Sequence, residues 1–518
     1  MAGVKPAEIP AVMRRREWDA HTITQAVPSL ELMERAASAV ATYVVSHFNW
    51  KARRVVAVCG PGNNGGDGWA ALRLLQPFYE VHGLMLNPEP SKFSQDCRHT
   101  YDLFRHSGGQ ASPWSEAAFG SLLGENVVIL DAIFGSGLNR APEGAAADAI
   151  RAMNASGCPV VAIDIPSGMA GDNNDHHAWR DRVVRSYCTV TFQAPYRSFF
   201  YPENTEFVPQ FEVAPIGLLD DFPLHEPGEL TYCYSTQAAV RELVKPRPRH
   251  GHKGTFGRVL VVGGSPGMCG AALLAARAAK VAGAGLVYLA APESCRIPAQ
   301  SALPEVIFLD YEALLGNIND GLVSSLWPDV VALGPGWGRD GGTDPILFLA
   351  HRFPQALFVL DADALNRMAG CASDILAHLT GRALLTPHPG EMDRLLPSQN
   401  PKDTPERIAR ALSLCEGSQA TVVLKGRYTA IVSPGTVWFN TTGNHWLATG
   451  GSGDLLTGLA AGILAQGYGL NEGARLAVWL HGRSADMATA SAYKPLNLEA
   501  VLSYLPHAMA EIDFAGQA

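Results

Sequence analysis

The sequence predicts an α/β protein of two domains, each a parallel sheet held between layers of helices. Three observations predict it. Short β-branched runs alternate with helical stretches through both halves of the chain, the pattern of parallel strands joined by crossover helices. At 518 residues the chain exceeds what one ordinary core holds. Nearly every apolar run empties into a turn rich in Gly, Pro or Asp, and in open α/β sheets ligands bind at those strand ends.

Residues 29–48 form an Ala-rich amphipathic pattern with Glu31 and Glu34 in its first turns, so a helix is expected there. Strands are expected at 55–59, 127–131, 160–164 and 189–192, with helices at 67–75 and 145–153 between them. The stretch 222–229 contains Pro and Gly. Residues 245–254, KPRPRHGHKG, cannot be regular structure, because proline fixes φ and removes a donor. A boundary between 220 and 235 therefore gives domains 1–225 and 226–518, with the basic segment as an entry loop of the second. Further strands are expected at 258–263, 286–289, 330–333, 357–360, 383–385 and 421–424, with an Ala-rich helix at 270–282.

Composition narrows the function. The 47% hydrophobic and 17% charged residues suit a soluble globular protein, and the net charge of −9 supplies no basic field for nucleic acid. No stretch is long and apolar enough to span a membrane, so neither a nucleic acid nor a membrane is expected as partner. Nine cysteines without a C-x-x-C pair predict reduced thiols and a cytoplasmic protein.

Two glycine-rich turns point to two sites. GPGNNGGDG (60–68) satisfies G-x-G-x-x-G between a strand and a helix, the dinucleotide fingerprint, but the acidic residue that should follow fits poorly, since Glu80 precedes the next strand. Asn63, Asn64 and Asp67 crowd a turn that is ordinarily bland. Their oxygens suit a cation or substrate hydroxyls, while the plain alternative is that the Asn pair supports turn geometry. DAIFGSGL after one strand and DIPSG after another add Asp131 and Asp164 at strand ends, each readable alone as a helix cap.

TGGSGD (449–454) precedes an apolar helix. Its N–H groups would form an anion hole, and Asp454, kept ionised by the helix dipole, would accept a proton from a hydroxyl being phosphorylated. No G-x-x-x-x-G-K-[ST] occurs, so a P-loop is excluded. LKGRYT offers Lys425 and Arg427 to phosphates, or is a solvated hairpin. TPHPGE holds His388 rigidly between prolines, and GPGWG and GGS add close-approach backbone.

Taken together, these motifs resemble those of the bifunctional NAD(P)H-hydrate repair enzymes along nearly the whole chain. GPGNNGGDG, DAIFGSG and DIPSG are similar to the epimerase part, and GRVLVVGGS, LGPGWG, DADAL, TPHPGE, LKG and GGSGD to the dehydratase part. The resemblance implies a Rossmann-like three-layer sandwich followed by a ribokinase-like one. It implies that the first interconverts the R and S hydrates of NADH and NADPH, and that the second dehydrates the S form while ADP is hydrolysed to AMP and phosphate.

The residues it implies follow the motifs. In the first domain Asn63, Asn64, Gly65, Gly66, Asp67, Gly135, Ser136, Gly137, Leu138, Asn139, Arg140, Ala141 and Asp164 would hold the hydrate. Asp164 would be the acid/base there, and Asn64, Asp131 and Ser167 would coordinate potassium. In the second, Ala271, Gly336, Gly338, His388 and Asp454 would meet the hydrate, with Asp454 catalytic. Lys425, Gly426, Arg427, Tyr428, Thr429 and Gly453 would meet ADP, which brings magnesium. A homo-oligomer is expected. Ser136 stands where Thr is frequent, and Trp337 where Leu is usual. The competing readings are a small-molecule kinase with a regulatory first domain, a nucleotide-sensing first domain without turnover, and an ordinary dehydrogenase.

Overall fold

The computed structural model describes residues 7–48, 51–138, 140–316, 325–490 and 497–514. It divides into two compact units, Glu8–Glu229 and Leu230–Ala518, the second also taking in Ala7.

Among the described residues the first unit holds seven strands: β1 (Arg54–Cys59), β2 (Glu80–Met85), β3 (Gln110–Pro113), β4 (Val127–Ala132), β5 (Val160–Ile163), β6 (Cys188–Phe192) and β7 (Phe211–Ala214). They pair in parallel in the order β3-β2-β1-β4-β5-β6-β7. Strand order reverses beside β1, so the carboxyl ends of β1 and β4 open a crevice at a topological switch point.

Alternate residues of β1 serve opposite layers. Val55, Ala57 and Cys59 pack with helices Ser29–Phe48, Asn63–Leu75 and Gln95–His106, whereas Val56 and Val58 pack with Phe119, Ile150 and Met153 of helices Glu116–Leu122 and Gly144–Ala155. Every residue from Val55 to Cys59 is wholly buried, and burial of each such valine contributes roughly 1.5–3 kcal/mol. A strand buried on both faces reads as a continuous apolar run, which is why β1, β4, β5 and β6 fall where the sequence predicts them.

In the second unit the described strands are β8 (Thr231–Ser235), β9 (Arg258–Val262), β10 (Leu286–Ala291), β11 (Ile307–Asp310), β12 (Val330–Leu333), β13 (Leu357–Leu360), β14 (Ala383–Leu385), β15 (Thr421–Leu424), β16 (Ala430–Ser433) and β17 (Thr436–Asn440). Their order is β11-β10-β9-β12-β13-β14-β15-β16-β17-β8, parallel except for the β15-β16-β17 meander. Helices Cys269–Val281, Ser452–Leu464, Leu470–Ala490 and Leu498–Glu511 build one core against Val259 and Val261. Helix Thr404–Ser418 covers the opposite face near β15 and β16, where its buried Cys415 meets the Val432 carbonyl.

Three expectations are corrected. The helix expected from 67 begins at Asn63, so the Asn–Asn–Gly–Gly stretch is its first turn rather than a loop before it. Backbone contact makes the turn this tight: a Cβ on Gly65 would lie 1.9 Å from the Gly60 carbonyl oxygen, and one on Gly60 2.1 Å from that of Ile133. Glu80 opens β2 rather than preceding it, and its carboxylate pairs with Arg54 at 2.9 Å. Cys269 and Cys295 form a disulfide, against the expectation of reduced thiols throughout, while the other seven cysteines are free. They lie 26 residues apart in sequence, and only the neighbouring of β9 and β10 brings the segments after these strands together. No helix among the described residues is long and apolar enough to cross a membrane.

Candidate functional site

A cleft of about 870 Å³ lies at the carboxyl ends of β1, β4 and β5. Asn63, Asn64, Asp67, Gly135, Ser136, Gly137, Leu138, Arg140, Ala141 and Asp164 all line it. Gly65 and Gly66 do not line it. They lie beneath it, and a Cβ on Gly66 would strike the Met33 thioether at 2.7 Å. Asn139 falls outside the described residues.

Asp131 is wholly buried within β4 rather than at its end. Its Oδ1 accepts from Ser167 Oγ at 2.6 Å and its Oδ2 from Ser167 N at 2.7 Å, and the Ser167 hydroxyl also accepts from Phe134 N at 2.9 Å. Burial pushes the Asp131 carboxyl up to about 6, against the pull of those Ser167 bonds and of the Ile133 N–H. Asn64 lies beside Gly135, its Oδ1 3.6 Å from where a Cβ there would be, and its buried Nδ2 has no hydrogen-bond partner. One carboxylate, one hydroxyl and one amide are hard oxygen donors, the kind that suit a hard cation.

Asp164 follows β5 with φ of +65°, a conformation side chains adopt at a cost, and its N–H donates to the Val190 carbonyl at 2.8 Å. It caps no helix. Tyr196 Oη donates to its Oδ2 at 2.7 Å, Thr191 Oγ1 lies 3.4 Å from its Oδ1, and the Arg15 guanidinium lies 3.6 Å from the same oxygen. Two further carboxyls enter the cleft. Burial holds Asp19 up at about 6, against the pull of Arg15. Burial also raises Asp67 well above the carboxylate range, with Asp164, Asp19 and Asp96 adding to the push. The cleft thus sets a hydrogen-bonded carboxylate among carboxyls inclined to keep their protons, the ingredients of proton exchange in both directions.

In the second unit, turns from five strand ends meet. After β9 and β12, Gly264 N donates to the Pro335 carbonyl at 2.8 Å, and a Cβ on Gly336 would lie 3.1 Å from that of Ala271. Gly338 N donates to Asp363 Oδ2 at 2.8 Å. Asp361, directly after β13 and 2% exposed, accepts from Lys425 Nζ on one oxygen and from Thr457 Oγ1 on the other, both at 2.7 Å. This ties the turn after β15 to the GGSGD helix. A Cβ on Gly453 would stand 3.4 Å from the same Nζ.

His388 N-caps helix Pro389–Leu395 in a reciprocal capping box with Glu391, whose carboxylate also lies 3.6 Å from Lys425. Burial lowers the His388 pKa despite Glu391. For Lys425 burial opposes the charge, but Asp361 and Glu391 outweigh it and its pKa rises. Gly426 and Thr429 close the hairpin between β15 and β16, Thr429 Oγ1 donating to the Gly426 carbonyl at 2.9 Å. Arg427 is exposed on the turn, and Tyr428 takes φ of +52°.

Asp454 is the third residue of helix Ser452–Leu464, whose N-cap is Gly451 at φ of +90°. The helix dipole does not hold the Asp454 pKa at the ordinary carboxylate value, although the group is still mostly ionised at neutral pH. Burial first, then the neighbouring Asp361, push Asp454 up to about 6, and Lys425 only partly offsets them. A macrodipole contributes less than desolvation beside a second carboxylate costs.

Residues 259–507 match the family described as NAD(P)H-hydrate dehydratase, and residues 29–198 the family described as YjeF-related protein N-terminus. The chain is 35% identical over 504 residues to the bifunctional NAD(P)H-hydrate repair enzyme Nnr of Moorella thermoacetica, covering 94% of this chain and 93% of that one. It is 31% identical to the protein of the same name from Pyrobaculum aerophilum, covering 99% of each. The chain belongs to the bifunctional NAD(P)H-hydrate repair enzyme family. Among solved structures it is similar to a ribokinase-like superfamily protein of Enterococcus faecalis, with 29% identity, a TM-score of 0.48, and coverage of 56% of this chain and 98% of that one.

Within this family member, the sequence reading overlooked Arg15, Asp19, Tyr196, Asp361, Glu391 and Thr457 as site residues. Asp361 and Glu391 lay inside quoted motifs, DADAL and TPHPGE, so their strand-end position was a usable signal. Arg15, Asp19 and Tyr196 had none, because tertiary packing alone brings helix Val12–Gln25 and the turn after β6 to the cleft.

Proposed function

We propose that the unit Glu8–Glu229 interconverts the R and S hydrates of NADH and NADPH, and that the unit Leu230–Ala518 dehydrates the S form at the expense of ADP. The observation that carries this reading is the bond pair Lys425–Asp361–Thr457, which fastens a cationic turn to the GGSGD helix in a chain that also holds the Asp164 cleft. In the first unit the ring nitrogen next to the hydroxyl-bearing carbon can expel hydroxide once an acid protonates it. Asp19 and Asp67, inclined toward their neutral forms, supply that proton. Asp164 takes a proton from the water that re-adds to the other face and passes it through solvent back to the acid that gave it, so atoms and charge balance over the cycle.

In the second unit Asp454 accepts the proton of the hydrate hydroxyl as its oxygen attacks the terminal phosphorus of ADP. AMP leaves, and N–H groups of the glycine turn together with Lys425 neutralise the moving phosphoryl charge. The ring nitrogen then expels phosphate, which leaves far more readily than hydroxide, and the neighbouring ring carbon gives up a proton to water as the double bond re-forms. The net change is hydrate plus ADP to reduced cofactor, AMP and phosphate. Lys425 to Thr429 and Gly453 serve the nucleotide, and Ala271, Gly336, Gly338 and His388 the hydrate.

Among the described residues no three His, Cys, Asp or Glu side chains converge to hold a metal. Magnesium would therefore ride on the ADP phosphates with at most one or two carboxylates, as that ion commonly does. Potassium would sit at Asn64, Asp131 and Ser167 and stiffen the turns after β4 and β5. We place the reaction in the cytoplasm.

The test mixes chemically hydrated NADH with the protein and either ADP or ATP and follows recovery of dihydropyridine absorbance. Recovery with release of phosphate is expected with ADP. A stable phosphorylated alcohol without recovery would replace this reading with that of a small-molecule kinase.

A further inference from the structure

We propose that Tyr196 and Arg15 are the positioning residues of the epimerising unit, holding the Asp164 carboxylate at one aim into the cleft; this rests on the epimerase reading of that cleft. Both lie outside every motif that marks the site. Tyr196 is 1% exposed, comes from the turn after β6, and donates its hydroxyl to Asp164 Oδ2 at 2.7 Å. Arg15 comes from helix Val12–Gln25, is 8% exposed, and lies with its guanidinium carbon 4.0 Å from the Tyr196 ring centroid. Its fork is fixed from behind by the Phe192 carbonyl at 2.8 Å and the Pro195 carbonyl at 3.2 Å, with a further bond to the Ala194 carbonyl. From that seat it faces Asp164 Oδ1 at 3.6 Å.

The arrangement is costly unless it serves the carboxylate. A buried guanidinium whose hydrogen bonds go to neutral carbonyls needs a nearby negative charge, and the Asp164 carboxylate lies 3.6 Å from it. The tyrosine hydroxyl is directed to that carboxylate rather than to a backbone group. The backbone of Asp164 is itself left-handed, as is that of Gln193 in the turn that carries Tyr196, so both sides of the contact are built in uncommon conformations. A carboxylate with each oxygen assigned keeps one face toward the hydrate. Asp19, one turn beyond Arg15 on the same helix, and Asp67, on helix Asn63–Leu75, reach the same cleft.

Tyr196→Phe in the full chain removes one oxygen atom and tests the aim. The rate of R-to-S exchange at saturating hydrate is expected to fall about 10- to 100-fold, the worth of a hydrogen bond to a charged group, with KM unchanged. In the Asp164→Asn background the same change is expected to cost nothing further, because the two act through one contact. Arg15→Lys, which keeps the charge but loses the planar fork, is expected to lower kcat likewise and less than additively with Tyr196→Phe. The dehydratase rate of each preparation on S hydrate and ADP, with its melting temperature, reports the folded fraction. Full kcat in Tyr196→Phe, a rise in KM alone, or losses that multiply with Asp164→Asn would overturn the positioning role. Undiminished exchange in Asp164→Asn alone would overturn the reading of the cleft itself, a different failure.

Discussion

Asp454 is where the residue scale decides the chemistry. As the proposed base Asp454 must be unprotonated to act, and with its carboxyl pushed up to about 6 the dehydratase rate is expected to fall on the acid side with a midpoint near pH 6. A pH–rate profile at saturating ADP checks this. Asp454→Asn is expected to abolish absorbance recovery while R-to-S exchange continues, read by separating the epimers chromatographically. The same shift predicts a trade against stability. The folded value lies above the unfolded value, so the stabilisation is complete below about pH 4 and is lost as pH rises through about 6. Asn escapes that loss, so Asp454→Asn should melt at a higher temperature than the natural protein at pH 8 and show no such gain at pH 4. What was legible here was the place of Asp454 in the first turn of its helix. Its altered acidity was not, because burial and the nearness of Asp361, distant in sequence, arise only in the fold.

At the element scale the helix Ser452–Leu464 shows why glycine recurs beyond the ligand turn. A Cβ on Gly458 would stand 1.9 Å from the Ala275 carbonyl oxygen, and one on Gly462 2.6 Å from that of Ala279, so this helix lies directly on the backbone of helix Cys269–Val281. Gly458→Ala forces the pair apart. It is expected to destabilise the protein by about 1–3 kcal/mol, the usual cost of overpacking, measured by denaturant unfolding, and to lower dehydratase activity by shifting the GGSGD turn relative to Ala271. Elements buried on both faces were readable, β12 through β15 among them, since apolar runs ending in turn residues leave little choice. Helix Val12–Gln25 was not, because its Arg-Arg-Arg-Glu stretch reads as solvated chain, and only in the fold do Arg15, Trp18 and Thr22 become buried. Strand β3, with no buried residue, β7, with one, and β8, with two, carry too weak an apolar pattern to announce themselves.

For the whole molecule, one chain with two chemistries makes a kinetic prediction. Given a mixture of hydrates and ADP, the natural protein should restore absorbance to completion. Asp164→Asn should restore the S share promptly and then stall at the slow pace of spontaneous exchange, so a two-phase progress curve is the measurement. The two-domain layout, both parallel-sheet classes and the order of motifs were legible because each motif sits at a strand end. The disulfide and the placement of β8 were not, because both depend on which strands end up as neighbours.

Strand β8 has a consequence of its own. It opens the second unit, yet its partner β17 lies at residues 436–440, with Thr231 aligned to Thr436 and Ser235 to Asn440. During synthesis it emerges some two hundred residues ahead of the segment that will shelter it, so the nascent domain must carry an unmatched ribbon until β17 leaves the ribosome. The matched region 259–507 omits that ribbon. A polypeptide begun at 259 would bare the rim of β17 to any passing strand, and clumping during expression is the outcome to expect from it.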